Sequence, residues 1–130
     1  MATLEQVSMG RQAIRLAIQL RQNIRVNYVR YKDFVGARRN AKDLLKDVHE
    51  DANNYLRIAG WVTDALADPV RRENLLAGLS SQGVTDVAEF EASIQELIVA
   101  ANDQLGANQD NIVQVADKGL ADLVEYDVVF

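Results

Sequence analysis

The only histidine of this sequence, His49, stands among carboxylates, with Asp47 before it and Glu50 and Asp51 directly after it. Imidazole and carboxylate groups bind metal ions and act as general acids and bases. Successive residues of a helix do not face each other, however, and no second histidine completes a His-Glu-x-x-His zinc motif. Lys46 occupies the position three residues before His49 where the Glu-x-x-His pair of a di-iron bundle requires glutamate. We therefore predict a solvated helix face here, with no metal site and no cofactor.

The other side chains that could perform catalysis lack the partners that they would need. General acid catalysis requires a carboxyl group that burial or a like charge keeps protonated, and nothing beside Glu89 or Glu96 in sequence supplies a nucleophile or an electrophile. The run Ser80–Gly83 lacks the Gly-x-Ser-x-Gly turn of a nucleophilic serine. Gly78 and Gly83 have the spacing of a phosphate-binding loop, but no Lys-Ser or Lys-Thr follows them. We predict that the chain is not an enzyme and has no small-molecule substrate.

Basic side chains are concentrated between residues 21 and 42, and this basic segment is the strongest binding candidate in the sequence. Its members are Arg21, Arg25, Arg30, Lys32, Arg38, Arg39 and Lys42. Arginine and lysine neutralise phosphates, and the interleaved Tyr28, Tyr31 and Phe34 could stack on unpaired bases. The whole chain is nevertheless acidic, with a pI of about 4.8, whereas nucleic-acid-binding modules are usually basic. Nucleic acid is therefore the less favoured partner for this segment.

Charge is divided between the two parts of the chain. Residues 1–46 contain ten Lys and Arg against three acidic residues, a net of +7, whereas residues 47–130 contain four against sixteen, a net of −12. This division favours an acidic partner surface, a nucleic acid or a second copy docked head to tail. Our preferred interpretation is that the basic side chains meet the acidic residues of 47–130, within the fold or in a neighbouring subunit.

Composition predicts a single globular domain with an aliphatic core, because 48% of the residues are hydrophobic but only 6% are aromatic. The absence of cysteine excludes disulfides and thiolate metal sites. No apolar run approaches the ~18–20 residues of a membrane span, and the first residues lack the pattern of a signal peptide. We expect a soluble protein without a membrane partner, cytoplasmic when made.

The 3.6-residue period of the apolar side chains predicts an all-α fold. Thr3 and Gln6 have the spacing of a capping box at the start of a first long helix. A second helical stretch spans Phe34 to Leu66, with Gly36 in the turn before it.

Further helices are predicted after residue 67. Asp68 is placed to cap a short helix over 69–79 that has Pro69 at its first position. A third long helix begins near Thr85, and Asn108 caps a last helix. The prediction is a helical bundle of three long helices and one or two short ones.

Two apolar stripes, Leu44–Leu66 and Val87–Leu105, should form much of the core of this bundle. The first helix should contribute Ile14, Ile18 and Ile24. Trp61 is predicted at the edge of the core or in an interface, where large aromatic side chains often anchor contacts.

The chain changes character at its end, so we divide it into a bundle domain of residues 1–122 and an extended apolar tail of residues 123–130. In the tail, four apolar side chains alternate with Glu125 and Asp127, which is the pattern of a strand. A strand has no partner in an otherwise helical chain. It would therefore pack back as a tail or add to a neighbouring subunit or another protein, unless the last helix simply frays here. The residues predicted to mediate association are Val124, Tyr126, Val128, Phe130 and Trp61.

A small, cysteine-free, all-helical chain that ends in a hydrophobic tail such as Val124–Phe130 resembles the minor virion proteins of tailed bacteriophages, for example head–tail connector or adaptor subunits. The resemblance implies a ring of subunits bound to a portal or tail, and thus a place in the virion. Our first hypothesis is a non-catalytic structural or assembly subunit, a homo-oligomer or one bound to other structural proteins. The alternative is a helical nucleic-acid-binding or regulatory module that uses the basic segment 21–42.

Overall fold

Five helices follow one another in the computed structural model, which describes residues 2–37 and 42–123. They are α1 (Leu4–Ala37), α2 (Lys42–Ala67), α3 (Pro69–Ser81), α4 (Val87–Leu105) and α5 (Ile112–Asp122). The described residues contain no strand, so the predicted all-α class is confirmed. Within these residues, no helix is both long enough and apolar enough to cross a membrane.

Two helix starts have the caps that the sequence predicts. The backbone N–H of Thr3 donates to Oε1 of Gln6 at 2.9 Å, and the N–H of Gln6 donates to Oγ1 of Thr3 at 3.1 Å. This reciprocal pair is a capping box, and it satisfies N–H groups that the first turn of a helix leaves without partners. At the start of α3, Oδ1 of Asp68 accepts bonds of 3.0 and 3.2 Å from two backbone N–H groups, with Pro69 at the first helical position.

The first helix is longer than the sequence predicts. Gly36 lies inside α1, which ends at Ala37, and not in a turn before the second helix. Phe34 therefore belongs to α1 as well. Glycine lowers the stability of a helix by only about 1 kcal/mol relative to alanine, so a single glycine does not by itself end a helix.

The last helix begins three residues later than predicted, because Asn108 organises the preceding turn instead of capping the helix. Its Oδ1 accepts from the N–H groups of Asp110 at 2.8 Å and Asn111 at 3.0 Å. Asn111 occupies the N-cap position of α5 and returns a bond, because its Oδ1 accepts from the N–H of Asn108 at 2.7 Å. Asparagine favours such local turns because its short side chain reaches nearby backbone groups.

The N-terminal half of α1 crosses α3 with the two backbones in direct contact. Gly10 and Gly78 face each other at the crossing, and both are buried. A Cβ on Gly78 would overlap the backbone of Gln6, and a Cβ on Gly10 would overlap the backbone of Gly78. Only glycine permits this close approach of the two helices.

The core consists of two clusters that share α1 as their common wall. The cluster around the N-terminal half of α1 contains Ala13, Ala17, Val62, Ala65, Leu75, Leu79, Val84, Phe90 and Ile94. The cluster around its C-terminal half includes Leu20, Ile24, Tyr28, Tyr31, Leu45, Val48, Ala59, Leu97, Ala101, Ile112, Ala116 and Leu123. Both predicted stripes therefore contribute core residues, and Ile24 is buried, whereas Ile14 and Ile18 are half-buried.

The last helix, α5, runs antiparallel to the C-terminal half of α1. Asp117 lies opposite Lys32, and two residues further along α5 the ring of Tyr28 covers Gly119. Each step forward along α5 is therefore a step back along α1. Leu123, the residue that follows α5, is fully buried.

Candidate interaction surfaces

His49 connects helices instead of pointing into solvent. Its Nε2 lies 3.0 Å from the carbonyl oxygen of Ala107 and donates a hydrogen bond to it, which links α2 to the α4–α5 connection. The prediction of a solvated face is therefore wrong for His49, which the connection partly buries, although the adjacent Glu50 is exposed. The residues that the structure describes contain no group of three or more His, Cys, Asp or Glu side chains that could hold a metal ion.

Two basic side chains of the segment 21–42 contact acidic residues of α4 and α5. Nη2 of Arg21 lies 3.4 Å from Oε1 of Glu96, and the Arg21 side chain is only 8% exposed. Nζ of Lys32 lies 3.0 Å from Oδ1 of Asp117 in an exposed pair. Burial strengthens the first pair because water screens it less, whereas exposed pairs contribute little to stability.

Arg30 lies between two carboxylates of α2. Its guanidinium nitrogens are 3.7 Å from Oδ2 of Asp51 and 3.9 Å from Oδ2 of Asp47, and its Nη1 donates to Oδ1 of Asn27 at 3.2 Å. Like Arg21 and Lys32, it thus meets the acidic part of its own chain, which is the interpretation that we preferred from the sequence.

The basic segment therefore does not form one continuous free surface among the described residues. Arg25 is half-buried on α1, and Lys42 is exposed at the start of α2. Arg38 and Arg39 lie outside the described residues.

The aromatic side chains of the segment are not available for base stacking. Tyr28 and Tyr31 are both fully buried, because α4 and α5 cover this side of α1. The prediction that they could stack on unpaired bases is therefore wrong. Burial raises the pKa of the Tyr31 hydroxyl to about 12 and moves the pKa of Tyr28 further above its usual value. The side chain of Phe34 lies outside the described residues.

A pair of buried amides links α1 to α4 and has no counterpart in our sequence analysis. Nε2 of Gln104 donates to the carbonyl oxygen of Ile24 at 2.8 Å, and Nδ2 of Asn27 donates to Oε1 of Gln104 at 3.5 Å. Both side chains are nearly inaccessible to solvent, so these bonds satisfy groups that would otherwise be costly to bury. A sequence signal existed, because Gln104 follows Ala101 by three residues, in step with the apolar stripe of α4.

One groove on the N-terminal half of α1 combines basic and apolar side chains, and we call it the basic groove. It encloses about 560 Å³ and is lined by Arg11, Ile14, Arg15, Ile18, Gln19, Gln22 and Gln82. Arg11 and Arg15 are exposed, and their side chains have neither an ion pair nor a hydrogen bond within residues 2–37 and 42–123. Arg11 belongs to the basic half of the chain but not to the segment 21–42, so our sequence analysis of binding residues missed this surface.

A second groove lies where α5 ends, and we call it the acidic groove. It encloses about 350 Å³ between α1, α4 and α5, and its lining includes Glu96, Val99, Asp103, Asp122 and Leu123. Much of its charge is neutralised within the chain, because Nζ of Lys118 lies 2.8 Å from Oδ2 of Asp103 and Arg21 contacts Glu96. The same bond with Asp103 raises the pKa of Lys118.

The predicted association residues fall into two groups. Trp61 is half-buried in α2 and packs against the core cluster around the N-terminal half of α1. Trp61 therefore lies at the edge of the core, which is one of its two predicted locations. Val124, Tyr126, Val128 and Phe130 lie outside the described residues.

Comparison of the chain with protein-family models, with curated proteins and with solved structures finds no match.

Proposed function

We propose that this protein is a non-catalytic structural or assembly subunit, which associates with further copies or with other structural proteins through charge complementarity and its tail. Three longer helices, α1, α2 and α4, serve as the scaffold of a bundle. The predicted tail begins at Leu123, but Leu123 is buried in the core, so residues 124–130 are the proposed docking segment. A virion, as in the connector and adaptor proteins of tailed bacteriophages, is the setting that this proposal favours.

The basic groove is the observation that carries this proposal. Arg11 and Arg15 stand beside the apolar side chains of Ile14 and Ile18, and the described residues of the chain provide no acid for either arginine. Several other basic side chains are paired within the chain, as Arg30 is with Asp47 and Asp51. By contrast, the exposed Arg71, which does not line the basic groove, has no acid partner among the described residues either. A groove with unpaired cations and an apolar floor fits a protein partner that brings apolar side chains and carboxylates.

Several side chains that are chemically suited to catalysis have structural partners instead, which supports a non-catalytic role. His49 donates to a backbone carbonyl, and Asp68 and Asp86 cap the starts of α3 and α4. Glu91 is bound at 2.7 Å by Arg72, and Glu96 contacts Arg21.

The nucleic-acid alternative receives less support from the same contacts. Arg21, Arg30 and Lys32 are engaged with carboxylates, and the two tyrosines between them are buried. Within the described part, Arg11 and Arg15 of the basic groove are two adjacent exposed cations that could still contact phosphate.

Charge reversal in the basic groove tests the proposal. The variant Arg11→Glu/Arg15→Glu should lower the sedimentation-velocity mass of the protein, because it places like charges where an acidic partner surface must dock. The matched control is Arg57→Glu/Arg71→Glu, which makes the same change in net charge at exposed positions of α2 and α3.

Equal masses for wild type and the groove variant, with the wild type oligomeric, would contradict the role of the groove. A monomeric wild type that binds DNA, and loses this binding in the groove variant, would establish the alternative. Steep weakening of that binding with salt would identify phosphate contacts.

A further inference from the structure

We infer that the basic groove of α1 is the receptor site for residues 124–130 of this chain. The inference deepens the proposed function and rests on it, since it names the surface that the docking segment occupies. In the assembly, the groove of one copy receives the segment of a neighbouring copy.

The chemistry of the segment is complementary to that of the groove. Residues 124–130 carry Glu125 and Asp127 and no basic residue, whereas the groove presents Arg11 and Arg15. The remaining five residues of the segment are apolar. Ile14 and Ile18 offer them an apolar floor, flanked by long arginine side chains that can reach the carboxylates.

The described residues favour a groove over strand addition as the way this segment binds. Strand addition requires an exposed sheet edge on the receiving subunit. Residues 2–37 and 42–123 form helices and connections only, so this part of a second copy offers no such edge. Side-chain burial on a helical surface is then the available mode of docking.

The segment is long enough to reach the groove from the end of α5. Leu123, the last described residue, lines the acidic groove together with Tyr28 of α1. Along α1, Tyr28 and Ile18 are about 15 Å apart at 1.5 Å per residue. Seven extended residues span about 23 Å, and the exchange of such a segment between identical copies is domain swapping.

Site-directed cross-linking of the full chain tests this inference. The sequence contains no cysteine, so each variant carries only the two thiols that are introduced. The test variant carries Gln22→Cys in the groove and Val128→Cys in the segment. The control variant carries Val128→Cys with Asn53→Cys, which is exposed on α2. A short bismaleimide should join the groove pair about tenfold faster than the control pair, because docking raises the local concentration of the two thiols. Adding Arg11→Glu/Arg15→Glu should remove this advantage, while circular dichroism shows unchanged helix content.

The size of the cross-linked products shows whether the receptor site, docking between copies, or both are supported. Groove-specific cross-links in dimers and larger species support both. Groove-specific cross-links found only within single chains support the receptor site but contradict docking between copies. Equal rates for the groove and control pairs overturn the receptor site, and the sedimentation experiment then decides the proposed function on its own.

Discussion

Tyr28 and Tyr31 lie one turn apart on α1 with both rings buried, yet their hydroxyl groups have different surroundings. The Tyr28 hydroxyl donates to the carbonyl oxygen of Ala100 at 3.1 Å, whereas the Tyr31 hydroxyl has no hydrogen-bond partner among the described residues. A buried hydroxyl without a partner costs free energy, and one with a partner contributes modestly to stability.

The variants Tyr28→Phe and Tyr31→Phe should therefore differ in stability. We expect Tyr28→Phe to lower the free energy of unfolding by about 1 kcal/mol, and Tyr31→Phe to leave it unchanged or raise it. Urea denaturation followed by circular dichroism measures both. An equal loss of stability in the two variants would show that the Tyr31 hydroxyl has a partner in the folded protein.

The same burial predicts that the fold weakens at high pH. The pKa of Tyr31 rises from its ordinary value of 10.0 to about 12, so between these values the unfolded chain releases a proton that the folded chain retains. The unfolded state then binds fewer protons, and the free energy of unfolding must fall as pH increases from about 10 toward 12. Tyr31→Phe should show a smaller decrease over this interval in urea titrations. An identical decrease in the variant and the wild type would contradict the assignment to Tyr31.

At the scale of helices, the crossing of α1 and α3 depends on the absence of side chains at Gly10 and Gly78. We expect Gly78→Ala to destabilise the fold by about 1–3 kcal/mol or more, because the new methyl group meets rigid backbone. Gly60→Ala is the matched control, since nothing lies within 4 Å of a Cβ there among the described residues. It should stabilise α2 by about 0.5–1 kcal/mol through helix propensity.

Thermal unfolding of both alanine variants measures these opposite shifts. A Gly78→Ala protein as stable as the wild type would mean that the two helices do not cross with their backbones in contact. A destabilised Gly60→Ala protein would mean that the surroundings of α2 are tighter than described.

Local features of this fold were predictable from sequence, and contacts between distant residues were not. Thr3 with Gln6, and Asp68 with Pro69, cap helices through neighbours three or fewer positions away, so their spacing alone predicts the structure. Gly10 and Gly78 are far apart in sequence, and nothing local to either glycine indicates the other. Likewise, Tyr28 is buried by residues of α4 and α5, so its own segment, which is rich in basic residues, favoured a binding role instead.

At the scale of the whole molecule, part of the basic half of the chain is neutralised by contacts with the acidic half. Arg21, Arg30 and Lys32 from the basic half contact acids of α2, α4 and α5. Arg11 and Arg15 of the basic groove have no acid partner among the described residues, and neither do the exposed Arg57 and Arg71, on a chain whose net charge is −5. Sequence analysis could predict this division of charge. It could not predict which arginines remain available, because that depends on how the helices pack.

The central claim, that these charges and the tail hold copies of the chain or other structural subunits together, is tested most directly by light-scattering mass after size exclusion, at low and at high salt. The Debye length shrinks from about 30 Å at 0.01 M to about 3 Å at 1 M salt, so exposed charge pairs between subunits weaken strongly over this range. We predict a defined oligomer at low salt that dissociates at high salt, and a smaller mass when residues 124–130 are deleted. A monomer under every condition, with and without these residues, would contradict self-association.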